Sequence, residues 1–301
     1  MKICVCAIPC KKSEQSNMPK IFSDELYLRL IFFGVVFLGL AFWETKANWR
    51  QNLLNRQVRW LTHLGLGGLS FFLVRLFFPL LALNTAMLAE TQAIGLFQTS
   101  PVMAHLPLGL KILLSLLGMD FAMYMQHRWM HRYAIFWRVH RVHHTDTELD
   151  LSTGIRFHPI EYFFMMGVKI LAILFLGIPV MAAFIFEVML SSFSLFNHSN
   201  IQLPARLEKY LSIICVTPKM HRIHHSDIPF EQNHNFGFCF SVWDKISQRY
   251  LAEAHQGQAH LVFGLEIYRA PAFQTLQRLL ALPFLRHKAL KPHRNKTVSF
   301  L

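Results

Sequence analysis

The chain has 301 residues, 53% of them hydrophobic, and a formal net charge of +13; its mean hydropathy is +0.31. That is too apolar for an ordinary soluble domain. The positive charge invites a nucleic-acid reading, but there is no nucleic-acid module and the basic residues concentrate in loops between apolar stretches, so no nucleic-acid partner is expected.

Residues 1–25 lack the continuous apolar core and the small-residue cleavage pattern of a signal peptide. They read as a disordered leader, and Met18, which directly precedes the organised sequence, is an alternative start. Of the five cysteines, Cys4, Cys6 and Cys10 lie in this leader and Cys215 and Cys239 elsewhere; no disulfide framework is implied. Apolar stretches long enough for membrane helices follow at 26–43, 61–83 and 106–126. A fourth, 162–196, has room for a hairpin of two helices broken near Gly177-Ile178-Pro179. The fold expected is all-α, a polytopic membrane helix bundle of about four or five spans or re-entrant hairpins, capped by a cytosolic histidine-rich di-metal site.

Orientation comes from the loops. Segment 44–60 holds Lys46, Arg50, Arg56 and Arg59 against Glu44, whereas 84–105 holds only Glu90. The positive-inside rule then places 44–60, and the histidine-rich segments with it, in the cytoplasm, at a bacterial inner membrane or at the endoplasmic reticulum. Lys2, Lys11, Lys12 and Lys20 run against this, with little weight if Met18 is the start. Segment 127–158 is polar and dense in His and Arg. In 199–260, Pro218 marks a helix start three residues before His221. From Arg269 to Leu301 there are many basic residues and no acid. This end reads as a basic amphipathic tail, its apolar part (FQTLQRLLALPFL) lying on anionic lipid and the rest, beyond Lys288, disordered. Three units result: 1–25, 26–268 and 269–301.

Eight of the seventeen histidines fall in three clusters: His127 and His131 in HRWMH, His140, His143 and His144 in HRVHH, and His221, His224 and His225 in HRIHH. Positions i, i+3 and i+4 share a helix face, so each cluster is expected to aim its imidazoles at one point. Imidazole suits iron, zinc and copper, and one tetrahedral zinc needs only four ligands. Two metals at a membrane surface is the first reading. His158 in RFHP and His198 in FNHS stand alone beside apolar spans at the level of the clusters, and both are carried as ligands. His234 reads as a pocket or loop residue. His63, His105, His255, His260, His287 and His293 have no partner spacing and read as structural or solvated.

Two stripes run toward the clusters. Asp120, Tyr124, His127 and His131 recur at i, i+4, i+7 and i+11, and Glu187, Ser191, Ser194 and His198 have the same spacing. A carboxyl at membrane depth costs up to about 2.5–3.5 kcal/mol on insertion scales and needs an interior partner. A carboxylate that holds a metal ligand's free ring N–H is the usual device. Asp120, Glu187 and Tyr124 are therefore read as orienters of the histidines or as members of a structural polar network.

Several chemistries fail on residue type. HRWMH has the spacing of a zincin but no Glu after the first His, and the histidine-rich segments contain no Glu-x-x-His pair of the soluble di-iron bundles. GxSxG, P-loop and GxGxxG motifs are absent. An all-histidine set beside apolar helices suits redox attack on a lipid C–H bond better than hydrolysis. The rivals are a histidine-rich membrane metal transporter or binding protein, which would line a path through mid-membrane with ionisable residues, and a non-redox zinc-dependent membrane enzyme.

These motifs together resemble the sterol desaturase/fatty acid hydroxylase superfamily, the membrane-bound histidine-rich di-iron oxygenases. HRWMH matches its HxxxH box, WRVHRVHH (Trp137 to His144) the first HxxHH box and MHRIHHS the second. RFHPIE and FNHSN match intervening pieces, and NFG (Asn235 to Gly237) followed by WDK (Trp243 to Lys245) matches the closing motif. The resemblance covers about 26–268 of the sequence. It implies O2-dependent hydroxylation or desaturation of a fatty acyl, sterol or isoprenoid lipid, with two Fe ions held by the eight box histidines and by His158 and His198. Asn197, Asn235, Trp243 and Asp244 are expected around the ligands. The electron donor implied is a separate cytochrome b5-like or ferredoxin-like protein. The chain departs from the family at Ser247-Gln248-Arg249-Tyr250, where Phe-Gly-Thr-Tyr is common, which affects a turn near the site.

Overall fold

The computed structural model describes residues 18–51, 54–78 and 81–285, with side chains from residue 26 onward. The expectations for residues 1–17 and for the chain beyond Leu285 lie outside the described residues; residues 18–25, read as part of a disordered leader, are helical. Long helices come first: α1 (Met18–Lys46), α2 (Arg56–Phe77), α3 (Ala82–Thr91), α4 (Leu108–Arg132), α5 (Ala134–His144), α6 (Pro159–Leu176) and α7 (Val180–His198). A cap follows, with α8 (Ala205–Ile214), α9 (Pro218–His224), α10 (Val242–Ile246) and α11 (Leu276–Ala281). Among the described residues the only β pairing is three isolated bridges.

Five stretches are long and apolar enough to cross a membrane: Leu26–Lys46, Arg56–Thr99, Leu108–Arg132, Pro159–Leu176 and Val180–His198. The chain is thus a polytopic helical membrane protein. Ile31, Val35, Leu38 and Phe42 of α1 are mostly exposed, the surface expected of a helix whose outer solvent is lipid. The second stretch is not one straight helix, because α2 ends at Phe77 and α3 begins at Ala82.

Local chemistry sets the breaks. The Asn55 side chain accepts from the backbone N–H groups of Gln57 and Val58 and starts α2. Pro159 and Pro218 occupy the first turns of α6 and α9, behind His158 and Thr217 caps. Gly177 ends α6 in the left-handed region at φ 67°, as the Gly177-Ile178-Pro179 break predicted. A Cβ on Gly177 would stand 2.3 Å from the Ile94 carbonyl oxygen, so glycine also lets the loop before Leu96 pack onto the α6–α7 turn. The segment 84–105, expected as a loop, holds most of α3 and two one-turn helices. Ala82, Ala86, Ala182 and Ala183 are buried at this end, and small side chains let helix backbones approach closely without a hydrophobic drive from water.

The other end of the bundle gathers the C-termini of α4 and α7, the N-termini of α2 and α6, and the helices α5 and α9. The connection 145–158 is clamped there by ions. Arg59 donates to Asp150 and Asp146 at 2.9 Å each, and Thr153 donates to Asp146 at 2.7 Å. Arg156 is fully buried and donates to the carbonyl of Val142 at 3.0 Å and to the Thr145 hydroxyl at 2.8 Å. His63, read as structural or solvated, is buried and bonds Ser152 at 2.8 Å and Arg156 at 3.0 Å. Glu44 accepts from the backbone N–H groups of Leu151 and Asn200.

One contact is especially unforgiving. A Cβ on Gly154 would lie 2.4 Å from the Ser194 carbonyl oxygen on α7. Gly154→Ala is expected to lower stability by about 1–3 kcal/mol through overpacking, read as a fall in the thermal unfolding midpoint of the detergent-solubilised protein.

The start of the C-terminal segment corrects its sequence reading. Residues expected to lie on lipid as a tail dock on the bundle instead. Leu279 and Leu282 are completely buried with Leu66 and Val142, and Arg141 donates to the carbonyls of Leu282 and Leu285. An amphipathic pattern does not say whether its apolar face meets lipid or protein, and here a groove between α2 and α5 takes it.

Candidate metal centre

Nine of the ten histidines proposed as ligands converge, in two sets. His127, His131, His140, His144 and His224 form one, and His143, His198, His221 and His225 the other; within each, one ring nitrogen per residue lies within 4.8 Å of the rest. All nine are buried. The expectation that each cluster aims at one point needs correction. The i, i+4 pair of each cluster goes to one set, and the i+3 residue of each HxxHH goes to the other. Around a helix, i and i+4 are about 40° apart, whereas i+3 lies about 60° to the opposite side of i. Thus α5 and α9 each contribute to both sets, and the sets touch: the rings of His144 and His225 stack with centroids 4.4 Å apart.

The hydrogen bonds of the outer ring nitrogens fix what faces inward. His127 Nδ1 donates to the Phe236 carbonyl at 2.7 Å, His224 Nδ1 to the His234 carbonyl at 2.9 Å, and His140 Nδ1 to Glu161 Oε1 at 2.6 Å. A neutral imidazole whose Nδ1 donates has only a lone pair at Nε2. Yet the Nε2 atoms of His140 and His224 each stand 3.1 Å from that of His127. Three lone pairs with no proton between them repel, and a cation is what such a cluster accommodates. In the second set one histidine is fixed in the same way. His198 Nδ1 donates to the Ser194 carbonyl at 2.6 Å, and its Nε2 lies 2.9 Å from those of His143 and His221 and 3.2 Å from that of His225. Both ring nitrogens of His144 and the Nε2 of His131 are buried without a hydrogen-bond partner, which leaves each of these residues a nitrogen free to coordinate. Burial first, and then the neighbouring histidines, push His143, His144, His221 and His225 well below the ordinary imidazole value. The donor set fits two metal ions of the kind that imidazole binds.

His158 belongs to neither set. Its Nδ1 accepts the Ile160 N–H as the cap of α6, and its Nε2 bonds the Leu280 carbonyl at 3.2 Å. The proline that follows it makes it a helix cap, which the sequence reading took for a ligand.

The residues expected around the ligands act one step further out, and none hydrogen-bonds an imidazole directly. Asp120 accepts from the backbone N–H groups of Cys239 and Phe240 and from Trp243 Nε1. Asp244 accepts from Phe236 N–H at 2.9 Å and Gly237 N–H at 2.8 Å; burial pushes its carboxyl up to about 7, against those two bonds. Asn235, at φ 57°, ties Met220 and Leu251 together, and Asn197 donates to the Phe238 carbonyl at 2.6 Å. Together they fix the 235–244 loop whose Phe236 carbonyl orients His127. Tyr124 bonds Ser247. Glu187 is the clear departure: it pairs with Lys169 and Arg29 rather than with any histidine. In the divergent turn, Gln248 adopts φ 56°, at the position where the related pattern has glycine.

Glu161 is the residue that sequence reasoning missed. It is the only carboxylate among the described residues shown bonding a histidine of the two sets, and it sits in the first turn of α6, inside the RFHPIE motif. Glu161→Ala is expected to weaken metal retention about 10–100-fold, measured by metal analysis after dialysis against a graded chelator series.

An apolar cavity of about 320 Å³ opens beside both sets, between α1, α2, α6 and α7. Phe157 lines it and stacks on His143 with centroids 4.3 Å apart, and Phe238 lines it 5.2 Å from the His127 ring.

Comparison with known proteins finds a family and several relatives that the segment around this centre resembles. Residues 112–248 match the fatty acid hydroxylase family model. The chain is 29% identical over 140 residues to ornithine lipid hydroxylase OlsE of Rhizobium tropici, covering 46% of this chain and 41% of that protein. It is 27% identical over 136 residues to alkylglycerol monooxygenase of Caenorhabditis elegans (45% and 26% covered) and 28% over 149 residues to that of Homo sapiens (50% and 32%). The match thus spans less than half the length of each of these relatives. No solved structure matches. The matched segment carries all nine converging histidines, so the likeness to the sterol desaturase/fatty acid hydroxylase superfamily falls on the metal centre itself.

Proposed function

We propose that this protein is an O2-dependent lipid hydroxylase with a di-iron centre, one iron held by His127, His131, His140, His144 and His224 and the other by His143, His198, His221 and His225. The observation that carries the reading is the meeting of two all-histidine sets beside an apolar cavity between helices long enough to cross a membrane. The match of residues 112–248 to the fatty acid hydroxylase family model and the likeness to relatives named as a lipid hydroxylase and as alkylglycerol monooxygenases support it. Bound iron would supply activation of O2, the overall change being R–H + O2 + two electrons + two protons to R–OH + H2O. The electrons come from a separate cytochrome b5-like or ferredoxin-like donor, and the centre faces the cytoplasm.

The chain's own residues do the rest. Backbone carbonyls and Glu161 hold His127, His140, His198 and His224 in the tautomer that presents Nε2 inward. Trp137 packs on His131 and His144, and Phe236 on His131 and His224, which excludes water from a strongly oxidising centre. Apolar walls admit a hydrocarbon chain beside Phe157. Lipid mass spectrometry of membranes with and without the protein is expected to show one lipid class gaining a single oxygen atom; a loss of two hydrogens instead assigns desaturation, and an unchanged lipidome contradicts the reading.

A further inference from the structure

The cavity reaches Phe157 and Phe238, whose rings pack on His143 and His127, and it is also lined by charge. Arg29 of α1, Lys169 of α6 and Glu187 of α7 all line it, and Glu187 accepts from Lys169 Nζ at 2.5 Å and from Arg29 at 2.7 Å. Glu187 precedes His198 by eleven residues and Lys169 follows Glu161, the partner of His140, by eight, so they lie about 12–17 Å along their helices from the histidine level. Arg75 of α2 lines the same region. Charged side chains thus line the cavity about midway along α6 and α7. Between these and the histidines the walls are apolar, with Phe33, Leu64, Met166 and Leu190 among them.

Charges at this depth are costly and mark function more often than packing. A buried ion pair is also weak evidence for stability, because apolar side chains of similar size commonly do as well. Here the three groups border an open cavity rather than close-packed protein. A hydrocarbon chain entering from the histidine end can occupy the apolar length, but its methyl terminus cannot displace the ion-paired side chains without leaving charges unsolvated.

We propose that Arg29, Lys169 and Glu187 form the floor of a chain-length gauge, so that the cavity takes one aliphatic chain whose methyl end stops at the ion pair while its polar end stays near the histidines. The inference rests on the lipid-oxidising reading for the identity of the occupant. It places the oxidised carbon near the polar end of the chain, at a distance from the methyl terminus set by the protein. These three side chains are specificity-determining and do not touch the reacting atoms.

The test uses the full chain purified in detergent and equilibrated with phosphatidylethanolamines carrying a ladder of straight saturated chains in two-carbon steps; retained lipids are read by native mass spectrometry. Lys169→Met with Glu187→Leu, which removes one charge of each sign, is expected to shift the retained distribution longer by at least one step. Leu190→Trp, which fills the cavity between floor and histidines, is expected to shift it shorter, and it decides the matter alone if the double variant does not fold. Identical distributions for the variants and the unsubstituted protein overturn the gauge. An oxygenated lipid product with no length shift sinks the gauge and keeps the hydroxylase reading; length shifts without any oxygenated product do the reverse.

Discussion

His143→Ala and His224→Ala are each expected to abolish lipid oxidation, lowering it by at least about 100-fold, and to reduce bound metal from two ions per chain to about one. The two substitutions remove ligands from different sets. His224→Ala should leave the set of His143, His198, His221 and His225 intact, and His143→Ala should leave the five-histidine set with its full complement. Metal analysis of the purified variants, with circular dichroism to show retained helix, distinguishes this from a single shared ion, for which either substitution would empty the whole site. Retention of two metals and full activity in both variants would contradict the assignment. The crossing of the i+3 residues makes this informative, because the substituted residues sit on helices that serve both sets.

The second large effect lies outside the ligands. Asp146→Asn is expected to destabilise the protein by about 3–5 kcal/mol, the usual result of removing one partner from a buried ion network. Asp146 receives Arg59 and Thr153 while Arg156 lies in the same network. Burial alone would raise its carboxyl, but Arg59 and then Arg156 hold it well below the ordinary carboxylate range. The sign follows: a depressed folded value means that the stabilisation is complete above the unfolded carboxylate value of about 4 and is lost as pH falls below it. Urea titrations at neutral pH and at acid pH are expected to show the difference between wild type and Asp146→Asn shrinking on acidification. A difference unchanged down to the lowest workable pH would contradict the ion-network account.

Much of the centre was legible because short-range periodicity needs no knowledge of the fold. The HxxxH and HxxHH spacings identify eight inward imidazoles, and the end of an apolar span identifies His198. The division into two sets was not legible. It depends on how α5 and α9 are rotated relative to α4 and α7, which residue spacing within one helix does not encode. His158 was misread for a local reason, since a polar side chain immediately before proline at a helix start is a cap. Glu161 was missed because a carboxylate partner was sought on the helices that carry the ligands, on the stripes led by Asp120 and Glu187. The partner of His140 comes instead from α6, across the bundle. The stripes were real as helix faces, yet Asp120 serves the 239–243 loop and Glu187 an ion pair at mid-depth, because a buried carboxylate binds whichever donor the packing presents.

The fold divides in the same way. Span positions and the Gly177-Ile178-Pro179 break follow from apolar length and turn chemistry. The docking of α11 and the packing of α3 follow from contacts between segments far apart in sequence, which an amphipathic or polar pattern alone leaves open.

The central claim is that this centre inserts oxygen from O2 into a membrane lipid. The direct measurement is to reconstitute the iron-loaded protein in its native lipid extract with a chemical reductant, supply isotopically heavy dioxygen, and analyse the lipids by mass spectrometry. One heavy oxygen atom in a single lipid class, absent in His143→Ala, is the expected result. A product whose oxygen comes from water, or no oxidised lipid from fully iron-loaded protein, would contradict the account.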